Sequence, residues 1–145
     1  GPLGLGMNPG SVVSSLVRLP NGHIVAGGDF TQAGGVAANR VAVWNGSTWT
    51  PLGGGMNGAV NALAVLPNGD LVAAGSFTGA GTVPANRIAL WNGLAWSALG
   101  SGLNNSVNAL AVLPNGSIVA GGTFTSAGGV SRSRIALWNG TAWSG

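Results

Sequence analysis

Residues 87–96 read Arg-Ile-Ala-Leu-Trp-Asn-Gly-Leu-Ala-Trp, and nearly the same words stand at 40–49 and at 134–143. An apolar run ending in Trp, then Asn-Gly, then a second Trp marks two short strands joined by a tight turn. Asn-Gly supplies the positive φ values that such a hairpin requires. The pairs Trp44/Trp49, Trp91/Trp96 and Trp138/Trp143 recur at a step of 47 residues. So do Phe30, Phe77 and Phe124, Arg40, Arg87 and Arg134, and Pro-Asn-Gly at 20–22, 67–69 and 114–116. A fixed period of this length makes the chain one unit written three times, a fact that governs every local assignment. Only the first copy departs: two extra residues near Pro9-Gly10 put Met7 and Met56 49 positions apart.

Outward from the hairpin, each unit reads as four strands. In the middle copy they are predicted at Val60–Val65, Leu71–Phe77, Arg87–Trp91 and Trp96–Leu99, with a tight turn at Pro67-Asn68-Gly69 and a Gly/Ala/Thr loop between the second and third. No segment shows an apolar period of 3.6 residues with caps, so no helix is predicted. Strands that are apolar on both faces must be covered on both. A four-stranded unit of this size achieves that by stacking on its own copies around an axis. The predicted fold is all-β, a β-propeller with three four-stranded blades at about 3–51, 52–98 and 99–145, forming one propeller segment. A β-solenoid is the competing architecture, but its coils are usually shorter and lack paired hairpin turns.

Among the 145 residues are 28 Gly and 6 Trp, with no Tyr and no Cys. Seven residues carry formal charge: Arg18, Arg40, Arg87, Arg132, Arg134, Asp29 and Asp70. The pI of 11.8 reflects the scarcity of acids, and the arginines are scattered along the chain. Nucleic-acid binding needs a gathered basic face, so none is expected. Mean hydropathy is +0.41, yet no apolar run approaches the ~18 residues a spanning helix needs, and no membrane partner is expected. No basic-then-apolar leader is present, so no signal peptide is expected and the localisation stays open. Absence of Cys removes disulfides and thiolate chemistry. Gly1-Pro2-Leu3-Gly4 reads equally as the remnant of a protease-cleaved tag or as native sequence, since Pro51-Leu52-Gly53 recurs.

The stretch Arg40-Val41-Ala42-Val43-Trp44-Asn45-Gly46-Ser47-Thr48-Trp49-Thr50-Pro51-Leu52 resembles the end of a kelch repeat. The kelch double glycine is matched by Gly27-Gly28 and Gly121-Gly122, and in part by Ala74-Gly75. The fuller pattern runs Leu-Asn, an apolar strand, Ala-Gly-Gly-x-Phe-Thr, then Ile-Ala-x-Trp-Asn-Gly. It resembles the propeller repeats of fungal cortical polarity markers and bacterial surface proteins, which implies a cell-surface parent. The resemblance covers the chain three times over; it is specific for the blade and not for an activity.

Each residue type that stands out has a bland reading beside a sharper one. The Trp pairs could stack sugars, but residues identical in every blade serve what every blade needs, which is packing and an anchored indole N–H. Arg40, Arg87 and Arg134 would form a partial ring. With two acids in the chain they cannot all be paired, so they are expected to donate to loop carbonyls, with an anionic ligand as the alternative. Arg132 aligns with Ala38 and Ala85 and is expected to face solvent. His23, Asp70 and Ser117 align as a solvated hairpin end, and Asp29 aligns with Ser76 and Thr123. A lone His is no metal site. The N-glycosylation patterns at Asn45, Asn104, Asn115 and Asn139 mostly reuse turn residues. The glycines form no phosphate loop. No cofactor, metal or small-molecule ligand is expected.

Catalysis fails on inventory. Copper-radical chemistry needs Tyr, Cys and His ligands, and sialidase-type chemistry needs a Tyr nucleophile with acidic partners; the chain has no Tyr, Cys or Glu and one His. Two functions remain: a self-assembling structural module, of synthetic or excised origin, or a protein- or glycan-binding module of a cell-surface protein. The loops Thr31–Asn39, Thr78–Asn86 and Thr125–Ser133 vary mostly among small residues, which favours the first. Propellers have ~4–8 blades, so three call for a closed ring of identical chains joined head to tail. Leu3 of a neighbour would then complete the fourth strand after Gly145. Two chains make six blades and three make nine. Small side chains on the inner strands favour thin blades and the trimer, whereas the outer Trp pairs widen the wedge toward the dimer; the trimer is preferred.

Overall fold

A computed structural model describes residues 4–145. Each repeat folds into one antiparallel sheet of four strands carrying a small hairpin. The first blade comprises β1 (Val13–Arg18), β2 (Ile24–Gly28), the small pair β3 (Gln32–Ala33) and β4 (Val36–Ala37), then β5 (Val41–Trp44) and β6 (Trp49–Pro51). The second repeats this as β7 (Val60–Val65), β8 (Leu71–Gly75), β9 (Gly79–Ala80), β10 (Val83–Pro84), β11 (Ile88–Trp91) and β12 (Trp96–Ala98). The third follows with β13 (Val107–Val112), β14 (Ile118–Gly122), β15 (Ser126–Ala127), β16 (Val130–Ser131), β17 (Ile135–Trp138) and β18 (Trp143–Ser144). Sheet orders are β1-β2-β5-β6, β7-β8-β11-β12 and β13-β14-β17-β18, and no helix occurs among the described residues.

Three strand ends differ from the sequence expectation. The second strand of the middle blade stops at Gly75 instead of Phe77, because a bulge between Val60 and Ala62 ends the β7–β8 ladder there. A Cβ on Gly75 would lie 2.0 Å from the Ala59 carbonyl oxygen, and Gly28 and Gly122 face Val12 and Ser106 oxygens at 2.0 and 2.1 Å. The second glycine of the pair is therefore a steric demand of the bulge. The third strand starts at Ile88, since Arg87 takes φ 70 and leaves the extended region. The fourth ends at Ala98. The Gly/Ala/Thr loop is not wholly irregular: it carries the β9–β10 hairpin, with rungs Val83–Ala80 and Pro84–Gly79.

Asparagines hold the turns. Asn68 Oδ1 accepts the Asp70 N–H at 2.9 Å, and Asn92 Oδ1 accepts the Leu94 and Ala95 N–H groups at 2.9 Å. Asn21, Asn115, Asn45 and Asn139 do the same in the other blades.

The first strands of the three blades, β1, β7 and β13, run side by side. Asn61 Nδ2 donates to the Val107 carbonyl at 2.9 Å, and the Leu63 N–H donates to Ser15 Oγ at 3.1 Å. Most of the core lies between blades, with a further cluster of Ala26, Phe30, Ala33, Ala42 and Trp49 inside the first. Val25, Val41 and Val43 share a cluster with Val60, Leu63 and Leu71, while Val72, Ala74 and Ile88 share one with Val107 and Ile118. Phe30, Phe77 and Phe124 are fully buried.

The middle blade is thus covered on both faces and the outer two on one. At equivalent positions, Ile88 is 0 % and Ile135 61 % exposed, and Leu63 is 7 % and Leu16 62 % exposed. Residues after each fourth strand also correct an expectation. Leu52 and Leu99 are buried and open the next blade, so the fourth strand is already finished at Pro51 and Ala98. Leu3, for which strand completion was expected, lies outside the described residues, as do residues 1 and 2 of the suspected tag remnant. Gly4 has φ 65, matching Gly53 at 59 and Gly100 at 64.

Candidate functional site

The Trp pairs close the outer edge of each blade. Ring centroids lie 5.5, 5.2 and 5.3 Å apart for Trp44/Trp49, Trp91/Trp96 and Trp138/Trp143, tilted at 52°, 56° and 54°. This tilted geometry is favoured by the ring quadrupoles. Trp96 Nε1 donates to the Leu52 carbonyl at 3.1 Å and Trp143 Nε1 to that of Leu99 at 2.8 Å. Each indole thereby ties the end of its blade to the residue that begins it. Trp49 and Trp96 are 6 % and 5 % exposed, while Trp143 is half-buried.

The arginines behave otherwise than expected. Arg40, Arg87 and Arg134 adopt φ 68, 70 and 72, the left-handed region that bulky residues seldom occupy. Their backbones form a joint: the Arg87 N–H donates to Phe77 O at 2.9 Å, and its carbonyl accepts the Gly75 N–H at 2.9 Å. None of the three guanidinium groups donates to a loop carbonyl among the described residues. Arg40 Nε instead faces Asp29 Oδ1 at 3.5 Å, where Ser76 and Thr123 offer no charge to Arg87 and Arg134.

Arg132 is likewise not a simple solvent-facing substitution. Its counterparts Ala38 and Ala85 are buried. In the third blade the longer side chain runs against Gly145, where an added Cβ would lie 2.4 Å from Arg132 Cδ, and its Nη1 donates to Ser131 O at 2.9 Å.

One residue series holds a loop, a role not expected for it: it stood only as the Asn of Leu-Asn in the repeat pattern, and Asn104 as a glycosylation pattern. Asn57 Oδ1 accepts the N–H groups of Thr78 and Gly79 at 2.9 and 3.0 Å, and its Nδ2 donates to Thr78 Oγ1 at 3.0 Å. Asn8 and Asn104 repeat the acceptor pattern. The signal was available, since Asn follows Met or Leu at the head of every copy.

Blade stacking brings together residues read separately as solvated ends. His23 and Asp70 both line a groove of about 460 Å³ between the first two blades, with Trp91 and the turn asparagines Asn21, Asn68 and Asn92. Both are half-buried, and Ser117, their third counterpart, is buried at 6 % exposure. Asn68 Nδ2 donates to Asp70 Oδ2 at 3.2 Å. The groove combines one carboxylate, one imidazole, amides and an indole over an aliphatic floor.

Comparison with known families adds a name to this architecture. The Rax2 C-terminal beta propeller domain matches residues 2–93, more than half of the chain. The chain belongs to this family. The match takes in the first blade and the second through its third strand. Residues 113–137 match a further description, Domain of unknown function (DUF5122) beta-propeller. No curated protein matches. Both family matches support a propeller-type repeat protein; neither carries an activity, since function resides in sites grafted on folds.

Proposed function

We propose that the chain is a non-catalytic β-propeller module whose role is assembly: copies of itself supply the blades that cover its two open faces and close a ring. The observation that carries this is the contrast between Ile88, buried to 0 %, and Ile135, 61 % exposed at the same place in the next blade. Around Ile135 lies an apolar depression of about 240 Å³ with Val119, Ala136, Leu137 and Gly145. Val13 and Leu16 project from the other end, 40 % and 62 % exposed. Apolar patches of this kind mark interfaces, and three blades fall short of the ~4–8 that wrap an axis. Two chains give six blades and three give nine; the small inner side chains favour three. The non-catalytic reading rests on the residue inventory, which lacks Tyr, Cys and Glu.

The test is Ile135→Asp, with Leu94→Asp as control. Leu94 is 88 % exposed on a hairpin turn. Ile135→Asp should lower the native mass relative to the parent chain while Leu94→Asp leaves it unchanged. An Ile135→Asp protein of unaltered mass overturns the assembly reading.

A second reading, binding of a neutral glycan, is favoured by the His23–Asp70–Trp91 groove. These are the blade-specific side chains beside an indole, and a polyol presents hydroxyls to a carboxylate and amides while stacking its C–H face on a ring. A glycan screen with Asp70→Asn as control decides it: binding lost on substitution supports the groove, and no binding ends the reading.

A further inference from the structure

Resting on the assembly reading, we propose which surfaces meet. The open face of the third blade receives the first blade of a second copy, head to tail, in the register of the two junctions inside the chain.

The first observation is a glycine without a local reason. A Cβ on Gly27 would lie 2.6 Å from Val60 Cγ1 and 3.1 Å from Leu63 Cδ1, so the first blade needs glycine where the second packs on it. Gly121 holds the same strand position in the third blade. It has no positive φ, and an added Cβ would meet only the Arg134 carbonyl oxygen, at 3.8 Å. A strand glycine on an open face weakens the strand and packs nothing. At the second junction Ala74 holds this position, fully buried in one cluster with Val107, so the site takes a small residue wherever the next blade packs. Val13 and Leu16 of a second copy, laid over Gly121 as Val60 and Leu63 lie over Gly27, give its smallness a purpose.

The second observation is a backbone pair left open. At the inner junctions the Met56 N–H donates to Asn39 O at 3.0 Å and the Leu103 N–H to Asn86 O at 3.2 Å. A Cβ on Gly55 or Gly102 would lie 2.4 Å from the same oxygens. The equivalents are Met7, Ser133 and Gly6. Among the described residues the Met7 N–H and the Ser133 carbonyl are not bonded to each other or to another backbone group, and nothing lies within 4 Å of a Cβ on Gly6. In the proposed register the Met7 N–H donates to Ser133 O of the preceding copy, and Asn108 Nδ2 reaches Val13 O as Asn61 Nδ2 reaches Val107 O.

Two like faces cannot meet this way. The N-terminal face offers the projecting Val13 and Leu16, and the C-terminal face offers the glycine floor that accepts them. An isologous contact would set Leu16 against Leu16 and leave both floors bare, whereas a head-to-tail contact repeats until rotation closes it.

The chain has no cysteine, so engineered pairs report cleanly. Val13→Cys/Gly121→Cys places thiols on the proposed seam, and Gly27→Cys/Val60→Cys repeats the pair at a junction inside one chain as a control for geometry. Oxidised, the seam variant should give covalent species of two or three chains on a non-reducing denaturing gel, with no longer ladder, and neither single variant should cross-link. A single variant that links to itself overturns the orientation. An unbounded ladder overturns closure. Absence of cross-links overturns the register if light scattering shows that both the seam variant and the unmodified chain are oligomers, and the assembly reading itself if the unmodified chain is a monomer.

Discussion

Replacing Trp96 by Ala tests whether the outer Trp pairs hold the blade together. The indole is 5 % exposed, rests 5.2 Å from Trp91 and donates to the buried Leu52 carbonyl at 3.1 Å. Truncating a buried aromatic costs about 3–5 kcal/mol through lost transfer energy and the cavity left behind. The orphaned carbonyl adds about 1–3 kcal/mol where water cannot reach it. The expected loss is therefore at least about 3 kcal/mol, read as a fall in the urea midpoint followed by far-ultraviolet circular dichroism at fixed protein concentration. Trp143→Ala should cost less, because that indole is only half-buried at the chain end. Trp96→Phe retains most of the packing and isolates the N–H contribution. A loss below about 1 kcal/mol for Trp96→Ala, the range of surface substitutions, would refute the packing role and return the tryptophans to candidate ligand platforms.

Three further outcomes follow from named contacts. Gly75→Ala should abolish folding or cost more than about 3 kcal/mol, since its Cβ would lie 2.0 Å from a backbone oxygen, whereas Gly46→Ala, with nothing within 4 Å and φ +100, should cost about 1 kcal/mol; equal thermal shifts would contradict the bulge argument. Asn57→Ala removes an acceptor shared by two loop N–H groups and should cost about 1–2 kcal/mol by denaturant titration, with Asn57→Asp retaining most of it; equal losses would point to side-chain volume instead. Arg87→Gly relieves a left-handed conformation worth about 1 kcal/mol and should leave the melting temperature unchanged or raised. A clear drop would mean that the Arg87 stem packs on the blade.

Much of the fold was legible because the determinants are local and repeated. Asn-Gly turns, apolar strands and tryptophans at fixed spacing each specify one hairpin, and threefold repetition removes the ambiguity of a single copy. The β9–β10 hairpin was not legible, because a two-rung ladder of Gly79, Ala80, Val83 and Pro84 resembles a loop. The left-handed arginines were hidden for a different reason: nothing about Arg announces positive φ, which is imposed by the Gly75 and Phe77 backbone bonds on either side. Arg132 misled because its alanine counterparts are small enough to look like surface residues, although they are buried. The candidate groove was illegible within any single repeat. His23 and Asp70 lie in different copies at equivalent positions, and only the stacking of one blade on the next sets them on a shared wall. The open faces followed from the count of three blades but not from any single repeat, since Ile88 and Ile135 stand in the same sequence context and differ only in what lies above them.

The most direct test of the account is the native mass of the unmodified chain, by light scattering coupled to size exclusion at micromolar concentration. The chain mass is 14.1 kDa. A single soluble species of two or three times that mass, with three preferred, is the predicted result. A stable, monodisperse 14.1 kDa monomer would contradict it, showing that the faces bearing Leu16 and Ile135 are at home in water.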